Sequence, residues 1–238
     1  MKNLLVIIPF LLILFGCSSL ELDAVKSSEQ ETQRILALGL SHEENLAEAK
    51  KLDTPHMVSV VTLQLKNARD EKIQAEVDLE ESNKYAEKVI ILEENSKFIS
   101  PEISENVKNG VLDTDVDLVT YNLESHKDAN SGLFQHKLNI SMTYYAKAKR
   151  NYDSVTFCDM WNNCDELSKK INVISINASN CKNNSCSYKE VMSLDLSGDF
   201  LKDSLDRGFS MRLMSKKKTN KVVLSKPYIM GYLNVVER

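Results

Sequence analysis

Val116-Asp-Leu-Val-Thr-Tyr-Asn-Leu123 and Leu138-Asn-Ile-Ser-Met-Thr-Tyr-Tyr145 decide the fold. Both are short runs rich in Val, Ile, Thr and Tyr, the residues that favour strands. Shorter runs of the same kind follow at Ser154 to Phe157, Ile171 to Ile176 and Tyr188 to Leu196, separated by Asn, Asp, Ser and Gly clusters. Ser197 to Gly208 then reads as one short helix, with Ser197 or Asp199 as cap, Phe200, Leu201 and Leu205 turned inward, and Gly208 as the stop. Phe209, Met211 and Leu213 alternate again, and a polar turn containing Lys216 to Lys218 leads into Val222 to Leu224, which predicts a hairpin with a basic tip. Pro227 opens a last turn or two of helix in which Tyr228, Tyr232 and Val235 pack on the sheet. Residues 113–238 are therefore expected to form a mainly β (α+β) domain, a β-sandwich or half-barrel with a few short helices.

Upstream the pattern differs. Residues 17–53 lack proline and read as a tether followed by a helical arm, in which Ser41-His-Glu-Glu44 has the capping-box form. Leu46, Ala49 and Leu52 recur at helical spacing, and Pro55 is read as the end of that element. Residues 54–112 form an acidic segment with two readings. Val61, Leu63 and Leu65, then Ile73, Ala75, Val77 and Leu79, recur at period two and argue for a hairpin; the frequent Glu, Lys, Ala and Gln and the absence of Gly from Pro55 to Glu94 argue for a helix. Charge divides the chain in the same place: 18–117 carries 22 acidic and 11 basic residues, and 118–238 carries 12 and 18. The acidic part can neutralise the basic part, or the basic part can face an anionic surface.

At the N-terminus, Lys2 precedes an apolar run from Leu4 to Phe15 broken only by Pro9, about twelve residues against the roughly 20 a helix needs to span a bilayer. The run ends in Leu14-Phe-Gly-Cys17. This resembles the lipobox of bacterial lipoproteins, in which residues 1–16 are a signal peptide and Cys17 carries the acyl chains. Ser18 and Ser19 follow where an Asp tends to retain such proteins at the inner membrane, so the resemblance favours the outer membrane of a two-membrane bacterium, with the periplasmic face expected over the cell surface; in a host with one membrane the protein would sit on the outer cell surface. Two or three acyl chains hold a protein stably, at about 0.8 kcal/mol per buried methylene.

Export makes the remaining cysteines, Cys158, Cys164, Cys181 and Cys186, an even set in an oxidising compartment. Two disulfides are expected. Sequence neighbours give the simplest of three connectivities, each closing a loop worth roughly 2 kcal/mol of chain entropy. Neither pair has the tight spacing of a zinc knuckle.

Residues of about 117–233 are also similar to an uncharacterised group of bacterial lipoproteins and periplasmic proteins. The resemblance rests on Ser131-Gly-Leu-Phe-Gln135, the tyrosine-rich strand running to Arg150-Asn-Tyr152, Cys181 to Cys186 leading into Ser187-Tyr-Lys-Glu190, and Lys226-Pro-Tyr-Ile-Met-Gly-Tyr-Leu233. It implies a disulfide-bearing β domain and brings no activity with it; the Cys158 and Cys164 pair and the acidic arm lie outside its pattern.

Motifs that encode chemistry are scarce. His42, His56, His126 and His136 form no His-Glu-x-x-His run and read as exposed loop residues; no Gly-x-Ser-x-Gly elbow and no phosphate-binding Gly-x-x-x-x-Gly-Lys occurs. No metal or other cofactor is called for. Asp113, Asp115 and Asp117 alternate, and read as the polar face of an edge strand rather than a calcium site. Tyr144, Tyr145, Tyr152 and Trp161 surround Lys147, Lys149 and Arg150, a set able to stack on sugar rings while cations hold anions, or else to alternate in and out of a sandwich. The expected function is non-catalytic: a lipid-anchored domain that binds an envelope protein or polymer, with glycan or lipid head groups favoured over nucleic acid. A lipid-anchored enzyme acting on peptidoglycan or another glycan is the alternative.

Overall fold

The computed structural model describes residues 17–94, 96–108, 116–159, 163–216 and 218–238. The chain divides into two compact units, one ending at Glu76 and the other running from Val77 to Arg238.

The first unit is helical: α1 (Cys17–Leu36), α2 (His42–Ala49) and the start of α3 (Pro55–Ala86). The capping box of α2 forms as its spacing predicts, with the Glu44 amide donating to Ser41 Oγ and the Ser41 amide to the Glu44 carboxylate. Ile35, Ala49, Val61 and Leu65 make its core.

Three expectations are corrected here. The tether is helix from Cys17 onward, and the period-two hairpin across Val61 to Leu79 is part of the unbroken α3. Burial shows why: Val61 and Leu65 are buried at a spacing of four while Leu63 between them is 59% exposed. In a strand the three would share one face; on a helix the middle one points away. Pro55, read as a terminator, is the first residue of α3, a position where its missing N–H costs nothing.

The second unit is mainly β, built on antiparallel sheets, and its strands begin well before residue 113. The strands are β1 (Ile90–Leu92), β2 (Lys97–Ile99), β3 (Ile103–Lys108), β4 (Val116–Lys127), β5 (Phe134–Ala146), β6 (Ser154–Cys158), β7 (Lys169–Lys170), β8 (Asn172–Lys182), β9 (Ser185–Leu196), β10 (Phe209–Met214) and β11 (Thr219–Leu224). One sheet runs β1-β2-β4-β5-β9-β8, with β3 also on β4; the other runs β11-β10-β6-β7. Their inward rows, such as Val119, Tyr121 and Leu123, Leu138, Ile140 and Met142, and Met211 and Leu213, meet in a single core.

Two short helices finish the unit. Helix α4 (Gly198–Asp203) starts at the Ser197 cap, and α5 (Lys226–Val236) extends past the expected turn or two to eleven residues. Strands β2 and β3 both pair with β4, and Pro101 between them interrupts the ladder. Ser100 bridges the gap by accepting the Leu123 amide on its hydroxyl at 2.7 Å, and Tyr228 of α5 places its hydroxyl 2.6 Å from the same oxygen. One turn on, Tyr232 bonds Ser125, which sits 2.6 Å from His136 Nδ1. The i, i+4 tyrosines thus carry their apolar rings into the core and spend both hydroxyls on sheet groups that need partners. Gly231, between them, lets α5 approach the end of α3: a Cβ there would lie 2.3 Å from the Ser82 carbonyl.

Both disulfides join sequence neighbours, Cys158 with Cys164 and Cys181 with Cys186. The second closes the β8–β9 hairpin, whose turn is formed by Asn183 and Asn184 at φ 49° and 61°, the left-handed backbone asparagine tolerates best after glycine.

Candidate functional site

The inward rows of the sandwich end in polar residues. Asp117 precedes Val119 on β4, Tyr144 follows Met142 on β5, Glu190 precedes Met192 on β9 and Asn220 precedes Val222 on β11. Each is at most 2% exposed, so each must find its partners within the protein.

The turn after β5 supplies them. Arg150 donates to Asp117 through Nη1 at 2.6 Å and Nη2 at 2.9 Å, and through Nη1 to the Tyr152 hydroxyl at 3.0 Å. Tyr152 in turn donates to Asn220, whose amide returns to Asp117 at 3.1 Å. Glu190 takes the other side of the turn. Its carboxylate accepts the amides of Arg150, Asn151 and Tyr152 at 3.0 to 3.1 Å, together with the Tyr144 hydroxyl. Asn151 makes this convergence possible with a φ of 57°. Successive amides folded round an anion form a nest, and here the chain fills it with its own carboxylate. The guanidinium lies over the Tyr144 ring at 3.9 Å, and Tyr144 stacks on Tyr188 at 5.6 Å. Burial pushes the Tyr152 phenol up to about 12 and raises Tyr144 as well, so both remain protonated donors.

Over this layer lies an open groove of about 490 Å³, lined by Tyr145, Ala146, Lys147, Ala148, Arg150, Ser185 and Lys218. It falls in the roughly 300–1,000 Å³ range of small-ligand clefts. Tyr145 is half exposed and anchored by its hydroxyl to the Lys182 carbonyl at 3.0 Å.

The tyrosine-and-cation surface read from the sequence is thus split in two. Tyr145 and Lys147 line the groove and Lys149 is exposed beside it, whereas Tyr144 and Tyr152 are buried and Arg150 reaches the groove from a position only 7% exposed. The ligand-surface reading is corrected for Tyr144 and Tyr152: Tyr144 falls on the inward row of β5, and the hydroxyls of both are committed inward, to Glu190 and Asn220. Asp117 is corrected too. It sits in the inward row of an interior strand, paired with Arg150, not on an edge. Asp113, Asp115, Trp161 and Lys217 lie outside the described residues, as does the leader up to Gly16; Cys17 begins α1.

Sequence reading did not find Glu190, Asn220, Ser185 or Lys218. A signal existed for the first two: each is a polar residue in phase with the buried row of its strand. The histidines do not sit in loops. His42 and His56 lie on helices, His126 is exposed on β4, and His136 is buried on β5. Ser125 and His136 have the contact of a nucleophile and base, but at 0% and 6% exposure neither presents a face to a substrate.

No protein-family model, curated protein or solved structure matches the chain.

Proposed function

We propose that the chain belongs to the class of lipid-anchored, non-catalytic binding proteins of the bacterial envelope. More particularly, it is an outer-membrane lipoprotein whose acyl chains sit on Cys17 and whose β domain holds a partner protein or an envelope polymer in the periplasm. The carrying observation is the open groove of Tyr145, Lys147, Ser185 and Lys218, built on a layer whose ionic groups are already satisfied.

Among the described residues, the two carboxylates beneath the groove are committed to binding the protein's own groups, Asp117 to Arg150 and Glu190 to three backbone amides, which supports a holding role. The leader-like residues 1–16 ahead of Cys17 and the two disulfides support an exported, oxidising setting.

Site-specific photocrosslinking in intact cells tests the reading. A benzophenone amino acid at Ala148, in the groove, is expected to give a discrete adduct that Lys147→Glu abolishes, and one at Gln135, at the far end of β5, is not. Equal adducts from both positions, or none from Ala148, would overturn it.

A further inference from the structure

We infer that the outer edge of β1 is a pairing surface for a second copy of this chain, the two β1 strands running antiparallel about a two-fold axis through Ile91. This surface is separate from the groove at Tyr145, and the inference does not rest on that reading. Three observations carry it.

The first is which sheet edge is left apolar. Among the described residues, the sheets end at β1 and β8 and at β11 and β7, and β3 is paired on one side by β4. Four of these edges carry features that discourage pairing: Glu105 and Lys108 on β3, Lys169 and Lys170 as the whole of β7, two register irregularities on β8, and Lys221 on β11. Strand β1 carries none of them. It reads Ile90-Ile-Leu92, and its three residues are 54%, 47% and 44% exposed.

The second is that both faces of the strand are apolar. Ile91 lies opposite Phe98 in the β1–β2 ladder, and the two line an open groove with Phe134, Val235 and Val236. Ile90 and Leu92 point to the other face. A strand that pairs here has to match apolar side chains on both faces, and β1 itself is such a strand.

The third is register. Antiparallel pairing centred on Ile91 sets Ile90 of one copy opposite Leu92 of the other and Ile91 opposite its own counterpart. Continued past the strand ends, the same register sets the exposed Lys88 opposite the exposed Glu94, and the axis repeats that contact. Centring on Ile90 instead would oppose Glu87 to Glu93, and centring on Leu92 would set Lys88 against Ser96. Because each copy contributes the same strand, pairing covers both apolar edges and stops at two. Three residues a side make a short ladder, so the dimer is weak, with a Kd of roughly 10 to 100 µM.

The test uses the mature full-length chain carrying Cys17→Ser. Sedimentation equilibrium across that concentration range is expected to show reversible exchange between monomer and dimer. Lys88→Glu and Glu94→Lys should each weaken the dimer at least tenfold alone, while melting as the parent does. An equimolar mixture of the two should recover it, since the mixed pair restores both contacts. Ile91→Cys is expected to give a disulfide-linked dimer on copper–phenanthroline oxidation, because directly opposed Cα atoms about 4.5 to 5.5 Å apart lie within disulfide reach. Ile174→Cys, 58% exposed on the opposite edge strand β8, is expected to give none. A parent that stays monomeric overturns the inference and leaves the edge to an extended apolar segment of another protein. A dimer indifferent to the charge reversals, or linked as readily through Ile174→Cys as through Ile91→Cys, overturns it as well.

Discussion

The Arg150 guanidinium holds the Asp117 carboxylate through both terminal nitrogens, at 2.6 and 2.9 Å, and so ties the turn after β5 to the inward row of β4. The geometry is the bidentate fork that arginine alone can offer a carboxylate. Lysine at 150 would keep the charge and lose the fork.

Removing one member strands the other without its charge partner. Arg150→Met is expected to cost about 3 to 5 kcal/mol by denaturant unfolding, because Asp117 stays at 1% exposure with its guanidinium gone. Arg150→Met combined with Asp117→Leu should recover part of that loss, since burying no charge is cheaper than burying one. Additive costs in the double variant would show that the two residues do not act as a pair.

Gly231 tests how closely α5 approaches the end of α3. A methyl group there would meet the Ser82 carbonyl at 2.3 Å and Tyr85 Cβ at 2.9 Å, so backbone has to move. Overpacking of this kind costs typically about 1 to 3 kcal/mol. Gly231→Ala should therefore lower the denaturation midpoint, even though alanine is the better helix former by about 1 kcal/mol. An unchanged or raised midpoint would rule out the close approach.

His136 contributes to the acid side of the stability profile. Burial lowers its imidazole below the usual 6.5, with Lys202 adding to the effect and Glu237 opposing it. Between that lowered value and about 6.5 the unfolded chain takes up a proton that the folded chain refuses. Stability therefore rises with pH across this window and is lost as pH falls through it. Urea midpoints at pH 7.5 and pH 5 should differ more for the parent than for His136→Asn, which keeps an amide near the Ser125 hydroxyl and removes the titration. An identical pH loss in the two proteins would assign it elsewhere.

The β region was largely legible because its signal is local. Runs rich in Val, Ile, Thr and Tyr mark β4, β5 and β9, the alternation of Phe209, Met211 and Leu213 marks residues that β10 buries, and Ser197 and Pro227 mark helix starts from within one turn. Helix α3 misled because Val61, Leu63 and Leu65 satisfy two periods at once, and only burial separates them. The site was half legible. Tyrosine and lysine in one segment marked the right turn, but the sequence gives no direct view of β9 and β11 lying beside it. Glu190 is 40 residues from the Arg150 amide it accepts, and Asn220 is 68 from Tyr152. Such partners become visible only once the sheets are paired.

Anchoring at Cys17 is the part of the proposed function on which the rest depends, since an acylated Cys17 would define the compartment the groove faces. Metabolic labelling with radioactive palmitate in a bacterial host tests it most directly. The wild-type chain is expected to carry label and to fractionate with membranes, while Cys17→Ala carries none. Label persisting in Cys17→Ala, or a wild-type chain that takes up none, would contradict it.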